Sequence, residues 1–121
     1  MRISNPTAKK GEDLAAKYLQ NHGYKIIERN FRKGYGEIDI ICLKDNTLIF
    51  VEVKTRTTEA FGGVRESISG FKIRKLIQTA QFYKMIHSNL PELLRIDAIL
   101  IDLNGINKVE NMEHIENISQ F

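Results

Sequence analysis

The sequence predicts a mixed α/β fold, one sheet with helices packed on it, in the order αβββαββ. Three observations lead there. Two stretches carry apolar residues at helical intervals, five shorter runs are rich in β-branched and aromatic residues, and turn residues separate them. The 121 residues suffice for one compact domain with a real core and are too few for two, so residues 1–121 are read as one unit.

Each element has its own signal. From Thr7 to Asn21, Ala8, Ala15, Ala16, Tyr18 and Leu19 fall at helical spacings, and His22-Gly23 supplies a stop. Tyr24 to Phe31 reads as a strand, and Gly34-Tyr35-Gly36 as a turn. Two strongly apolar strands follow, about Glu37 to Leu43 and Leu48 to Lys54, joined by Lys44-Asp45-Asn46-Thr47. Threonine, charges and a Gly-Gly pair make Thr55 to Gly63 a predicted loop. A second helix is predicted from about Ser69 to Ser88, with Ile73, Leu76, Ile77, Ala80 and Tyr83 along one face. Leu94 to Leu103 and Lys108 to His114 read as a hairpin turning at Asn104-Gly105.

Composition sets the outer limits. Apolar residues at 42% and charged residues at 27% are ordinary for a soluble globular chain. A net charge of +3 and a pI near 9.0 lean toward an anionic partner without deciding one. Cys42 is the only cysteine, which excludes an internal disulfide and a cysteine zinc site. No apolar run reaches the roughly 20 residues of a membrane span, and the first residues lack the apolar centre of a signal peptide. A cytoplasmic protein with no membrane partner is therefore expected.

The hairpin GEIDIICLKDNTLIFVEVK poses the functional question, because it places Asp39, Glu52 and Lys54 inside apolar strands. Buried charges are costly unless paired or bound to metal. A turn centred on Asp45-Asn46 would set Ile40 opposite Val51, Cys42 opposite Ile49 and Ile38 opposite Val53, all on one apolar face. The other face would then oppose Leu43 to Leu48, Ile41 to Phe50, Asp39 to Glu52 and Glu37 to Lys54. Two carboxylates at cross-strand distance repel. A divalent cation between them reverses that sign, and magnesium is often held by one or two carboxylates plus substrate phosphate. Glu12 supplies a third acid on the apolar side of the first helix, with Ala15, Ala16 and Leu19 at i+3, i+4 and i+7. Gly11 beside it leaves room for close approach of another backbone. The chemistry that suits such a cluster is metal-assisted phosphodiester hydrolysis, with Lys54 stabilising charge or orienting water.

The pattern Asp39…Glu52-x-Lys54 resembles the PD-(D/E)xK nuclease motif without its proline, and the helical acid Glu12 resembles the Holliday-junction-resolvase branch. The strings GEDLAAKYL, GYKIIERNFR, GEIDII, FVEVKTR, KIRKLIQTAQFY and RIDAILID together resemble the YraN family over nearly the whole chain. That family is described as an uncharacterised bacterial group, and the resemblance implies a restriction-endonuclease-like domain. The acid cluster and the PD-(D/E)xK pattern add the expectation of a magnesium-dependent (or manganese-dependent) endonuclease acting on DNA, branched DNA included. Its metal ligands would be Asp39, Glu52 and Glu12, with Lys54 catalytic. Arg29, Arg32, Lys33, Arg56 and Lys72 are the candidates for phosphate contacts. A nucleic-acid-binding accessory that cleaves little, and a protein-interaction module with vestigial acids, are the competing readings; a homodimer is left open. Asp97 and Asp102 read as structural or edge charges, and His22, His87 and His114 receive no role.

Overall fold

The computed structural model describes residues 5–34, 36–57, 68–106 and 108–119. Its elements are α1 (Pro6–Asn21), β1 (Lys25–Lys33), β2 (Gly36–Lys44), β3 (Thr47–Thr57), α2 (Gly70–Ile86), β4 (Leu93–Leu103) and β5 (Val109–Ile115), in the order the sequence predicts. Asn5 caps α1, its side-chain oxygen accepting from the backbone N–H groups of Thr7 and Ala8 at 3.0 and 3.2 Å. Pro6 fills a first-turn position where no intrahelical donor is required.

The five strands form one sheet in sequential order. The β2–β3 hairpin has the predicted register, Ile40 opposite Val51, Ile41 opposite Phe50 and Cys42 opposite Ile49. Asp45 and Asn46 both take positive φ, +50° and +58°, which matches the right-handed twist of the strands they join. Between β3 and β4 the pairing is parallel, running from Thr47–Leu93 to Thr57–Leu103. A parallel pair needs a long crossover, and α2 lies in it.

The helices cover opposite faces. Ala15, Ala16 and Leu19 of α1 pack with Ile40, Cys42, Ile49, Val51, Ile99 and Ile101. Leu76, Ala80 and Tyr83 of α2 pack with Ile38, Ile41, Leu48, Phe50 and Ile96.

Two expectations change here. Thr55, Arg56 and Thr57 belong to β3 and not to a loop, because β4 offers them Ile101, Asp102 and Leu103 as parallel partners. The remainder of that predicted loop, 58–63, lies outside the described residues, as does Tyr35 of the predicted turn. The second change concerns Ile38. Strict alternation puts it on the face of Ile40 and Val53, yet it packs on the α2 side with Ile41 while Ile40 and Val53 pack on the α1 side. The alternation slips by one residue at Asp39. On the neighbouring strand, Arg29 pairs with Ile40 and Phe31 with Ile38, so the slip falls beside Asn30, whose φ is +56°. A left-handed residue in a strand bends it and re-aims its neighbours.

Gly11 seats α1 on the sheet. A Cβ there would lie 1.7 Å from Thr55 Oγ1, 2.8 Å from Thr55 Cβ and 2.9 Å from its Cγ2, so the close neighbour is a β3 side chain and not the expected backbone. Rotating Thr55 about χ1 leaves its Cβ where it is. Gly11→Ala should therefore cost about 1–3 kcal/mol of overpacking, of which improved helix propensity returns only about 1 kcal/mol. Urea unfolding checks this; a variant as stable as the parent would mean that α1 can lift off β3 freely.

Candidate functional site

The site forms where β2 leaves β3. Their ladder runs from Lys44–Thr47 to Ile40–Val51 and ends there, while β3 continues along β4 to Thr57. Past the fork the Val53 N–H has lost its β2 backbone partner, and Asp39 Oδ2 accepts from it at 2.8 Å. Asp39 is 6% exposed and Glu52 7%. The two carboxyls are close enough to share a hydrogen bond. Burial first, then repulsion from Glu52, push the Asp39 carboxyl from its ordinary 3.8 up to about 7. The Val53 N–H opposes that shift, and Glu37 adds a weaker repulsion.

Cations surround the pair. Lys54 is half-buried on β3, two residues beyond Glu52 and on the same side of the strand. Lys72 of α2, expected among the phosphate-contacting residues, places Nζ 3.3 Å from Glu52 Oε2. The expected opposition of Glu37 to Lys54 lies beyond the end of the β2–β3 ladder. Glu37 instead faces Arg32 of β1, whose Nε donates to Glu37 Oε2 at 3.0 Å.

Glu12 is 8% exposed, on the buried face of α1 with Ala15, Ala16 and Leu19. Among the described residues no three His, Cys, Asp or Glu side chains converge on a metal-sized site; the acids brought into contact are Asp39 and Glu52. Two carboxylates with oxygen donors still fit magnesium, which commonly takes only one or two from protein and the rest from water and phosphate.

The remaining phosphate candidates divide into two sets. Arg29 donates to Asp13 at 2.8 Å and holds that carboxyl below its usual range. Arg32 pairs with Glu37, and Arg56 with Asp102 at 2.7 Å across the β3–β4 ladder. Lys33 lies over the Phe82 ring, 5.3 Å from its centroid.

Asp97 is the structural charge the sequence predicts, but the network around it, His114 included, escaped the sequence reading. Asp97 is 0% exposed and accepts from Arg95 Nε and Nη2 at 2.9 and 3.0 Å and from the Asn117 N–H at 2.9 Å, with His114 Nε2 2.8 Å away. Tyr18 of α1 lies 3.2 Å from His114 Nδ1, and Arg95 donates to the Tyr24 hydroxyl at 3.2 Å. Burial works to raise the Asp97 pKa, but His114, Arg95 and Asn117 together bring it below its ordinary value. His114 was legible in principle. The β4–β5 register sets it opposite Ile99, one pleat from Asp97 on the same strand.

Comparison with known proteins follows the same residues. The model of the family described as Uncharacterised protein family UPF0102 matches residues 11–101. A UPF0102 protein of Persephonella marina is 45% identical over 103 residues, 85% of this chain and 89% of that protein. One of Geobacter metallireducens is 42% identical over 108 residues, 89% of this chain and 87% of that protein. Among solved structures, one titled "Structure of EndoMS-dsDNA2 complex" aligns with a TM-score of 0.43 at 13% identity, covering 83% of this chain and 37% of that chain.

The raised Asp39 pKa has a consequence for stability. Folded Asp39 keeps its proton up to about 7 while the unfolded side chain loses it near 3.8, so folding takes up a proton between those values. The contribution is favourable below that window and is lost as pH rises through it. Asp39→Asn removes the titration and keeps an oxygen for the Val53 N–H. Measured by metal-free thermal unfolding, the variant should gain stability relative to the parent from pH 4 to pH 8. A pH-independent difference would mean that neither burial nor Glu52 raises the Asp39 carboxyl.

Proposed function

The chain belongs to the UPF0102 family, and from that premise we propose that it is a magnesium-dependent endonuclease hydrolysing phosphodiester bonds in DNA. The observation that carries this reading is the buried Asp39–Glu52 contact, which is electrostatically unfavourable as it stands and has Lys54 on the same strand. Pairs of acids arranged at such a cost mark sites where a ligand is to be received.

Magnesium or manganese held by Asp39 and Glu52, with Glu12, which does not converge on them, joining through water, would polarise the scissile phosphate and lower the pKa of the attacking water. The chain's own residues do the rest. The Val53 N–H fixes the Asp39 rotamer. Lys54 orients the attacking water and neutralises charge that develops on the phosphate oxygens. Lys72 offsets Glu52 at rest and can turn toward an incoming phosphate, since its side chain is 48% exposed. Lys33, with Arg29, Arg32 and Arg56 once their acids release them, supplies further phosphate contacts.

The Lys72–Glu52 ion pair favours one second reading, a nucleic-acid-binding accessory in which the ammonium occupies the cation's place.

Incubating the purified protein with branched, flapped and linear DNA in magnesium or manganese separates the two. On the endonuclease reading, Lys54→Ala lowers the cleavage rate about 10²–10³-fold with little effect on binding. Glu52→Gln instead raises the metal concentration needed, so excess metal partly restores it and does not restore Lys54→Ala. Parent affinity should fall steeply with salt as phosphate-bound counterions are released. A parent that binds in this salt-sensitive way and cuts nothing under either metal makes the accessory reading the correct one.

A further inference from the structure

On its outer face, α2 turns an aromatic ring toward solvent. Phe71, in its first turn, is 63% exposed. Arg74, Lys75 and Gln78 follow at i+3, i+4 and i+7, so the four share one stripe of the helix. With Ile77 they line an open pocket of about 470 Å³. Lys75 Nζ sits 5.5 Å from the Phe71 centroid. The helix carries Lys72, Arg74, Lys75 and Lys84 and no acid at all. Among the described residues, no carboxylate pairs with Arg74 or Lys75. Lys72, the residue after Phe71 but about 100° round the helix, reaches Glu52, while the Phe71 stripe lies on the outer face of α2, turned from the buried Leu76, Thr79, Ala80 and Tyr83.

We propose that Phe71, flanked by Arg74 and Lys75, is a stacking platform for an unpaired base of the bound nucleic acid, at a nucleotide removed from the phosphate that lies at Asp39 and Glu52. This rests on the nucleic-acid reading above and narrows its substrate class to nucleic acids with an unpaired stretch flanking the acid pair: single strands, flaps and junctions. The chemistry on the page matches that occupant. Every base has a π-face that a phenyl ring can stack on, and the neighbouring phosphates need cations within a few ångströms. Within a continuous duplex the bases already stack on one another, and presenting one to Phe71 would require unstacking it. An acidic or apolar protein partner would meet the cations or the ring but would have no use for both alternating along one stripe. The other exposed apolar side chains of α2, Met85 and Ile86, lie at its opposite end.

The test measures binding in metal-free buffer, where cleavage plays no part. Fluorescence anisotropy with a labelled single strand and its duplex gives affinities. A 2-aminopurine placed in the single strand reports stacking through its quenching. Phe71→Ala should weaken single-strand binding about 5–100-fold and abolish the quenching while changing duplex binding less than about twofold, and Phe71→Tyr should restore both. Because Phe71 is exposed, neither variant threatens the fold. Undiminished single-strand binding by Phe71→Ala overturns the proposal. So does equal loss on single strand and duplex, or a parent that binds no oligonucleotide at low salt, the result expected if the stripe docks protein. The two readings fail separately. Cleavage that depends on Glu52 with no effect of Phe71→Ala on single-strand binding removes the platform and leaves the endonuclease. Phe71-dependent binding with no cleavage by the parent leaves the platform and removes the endonuclease.

Discussion

The hydrogen bond from the Val53 N–H to Asp39 Oδ2 is the interaction on which the site depends. A strand that leaves its neighbour orphans the backbone groups it had paired, and an orphaned group in a buried place costs about 1–3 kcal/mol. Here the part of β2 before Ile40 stands away from β3, while β3 stays fixed to β4 as far as Thr57. Asp39 closes the gap with a side chain in place of a backbone carbonyl. The alternation slip between Ile38 and Ile40, matched on β1 by Asn30 at φ +56°, re-aims the chain at that point. Thus one local irregularity ends a ladder, fixes one acid and leaves it in contact with Glu52.

Two of the acids buried in this sheet, Asp97 and Asp39, meet opposite fates, and the contrast argues for a receptive site. Asp97 is fully enclosed, yet Arg95, His114 and the Asn117 N–H meet its oxygens, and its pKa falls. That network joins β4 to β5, to the residues after β5 and, through Tyr18, to α1, so its satisfaction is structural. Asp39 is buried almost as deeply beside another acid, and its pKa rises to about 7. The protein therefore has the means to satisfy a buried carboxylate and does not fully use them at Asp39. Gly11 points the same way. A helix residue without a Cβ lets α1 settle onto Thr55 at the far end of β3, bringing the buried Glu12 to that end of the sheet.

Much of this was legible because hairpins are local. The Asp45-Asn46 turn dictates which residues oppose each other, and the structure has that register wherever the ladder persists. The reading broke where non-local partners decide. Thr55 to Thr57 carry loop chemistry, but β4 lies some forty residues on in the chain, and only its parallel pairing makes them strand. Ile38 misled for a different reason: period-two alternation assumes an unbent strand, and nothing in the residues of β2 announces the left-handed Asn30 on β1. Arg56 was a natural phosphate contact on a loop and became an ion-pair partner of Asp102 once the strand extended. His114 shows no ligand spacing, because its partners Asp97 and Tyr18 come from β4 and α1.

The distribution of cations then gives the site a direction. Arg29, Arg32 and Arg56 each hold an acid of this chain, Asp13, Glu37 and Asp102, so a phosphate drawing on them must compete with an existing pair. Lys33 at the end of β1 is placed over Phe82 of α2, while Arg74 and Lys75 lie on α2 itself. Lys72 leans from the same helix onto Glu52. Exposed ion pairs are worth little and can be exchanged, but partly buried ones such as Arg56–Asp102 resist it. The positive potential most easily given up to a polyanion therefore belongs to the α2 side of the sheet, and a nucleic acid approaching there would meet Lys72 before it met the acids. On the proposed nucleic-acid reading, displacing that ammonium from Glu52 would uncover the carboxylate as the phosphate arrives, and binding of the strand would then be coupled to readiness of the acid pair through one lysine.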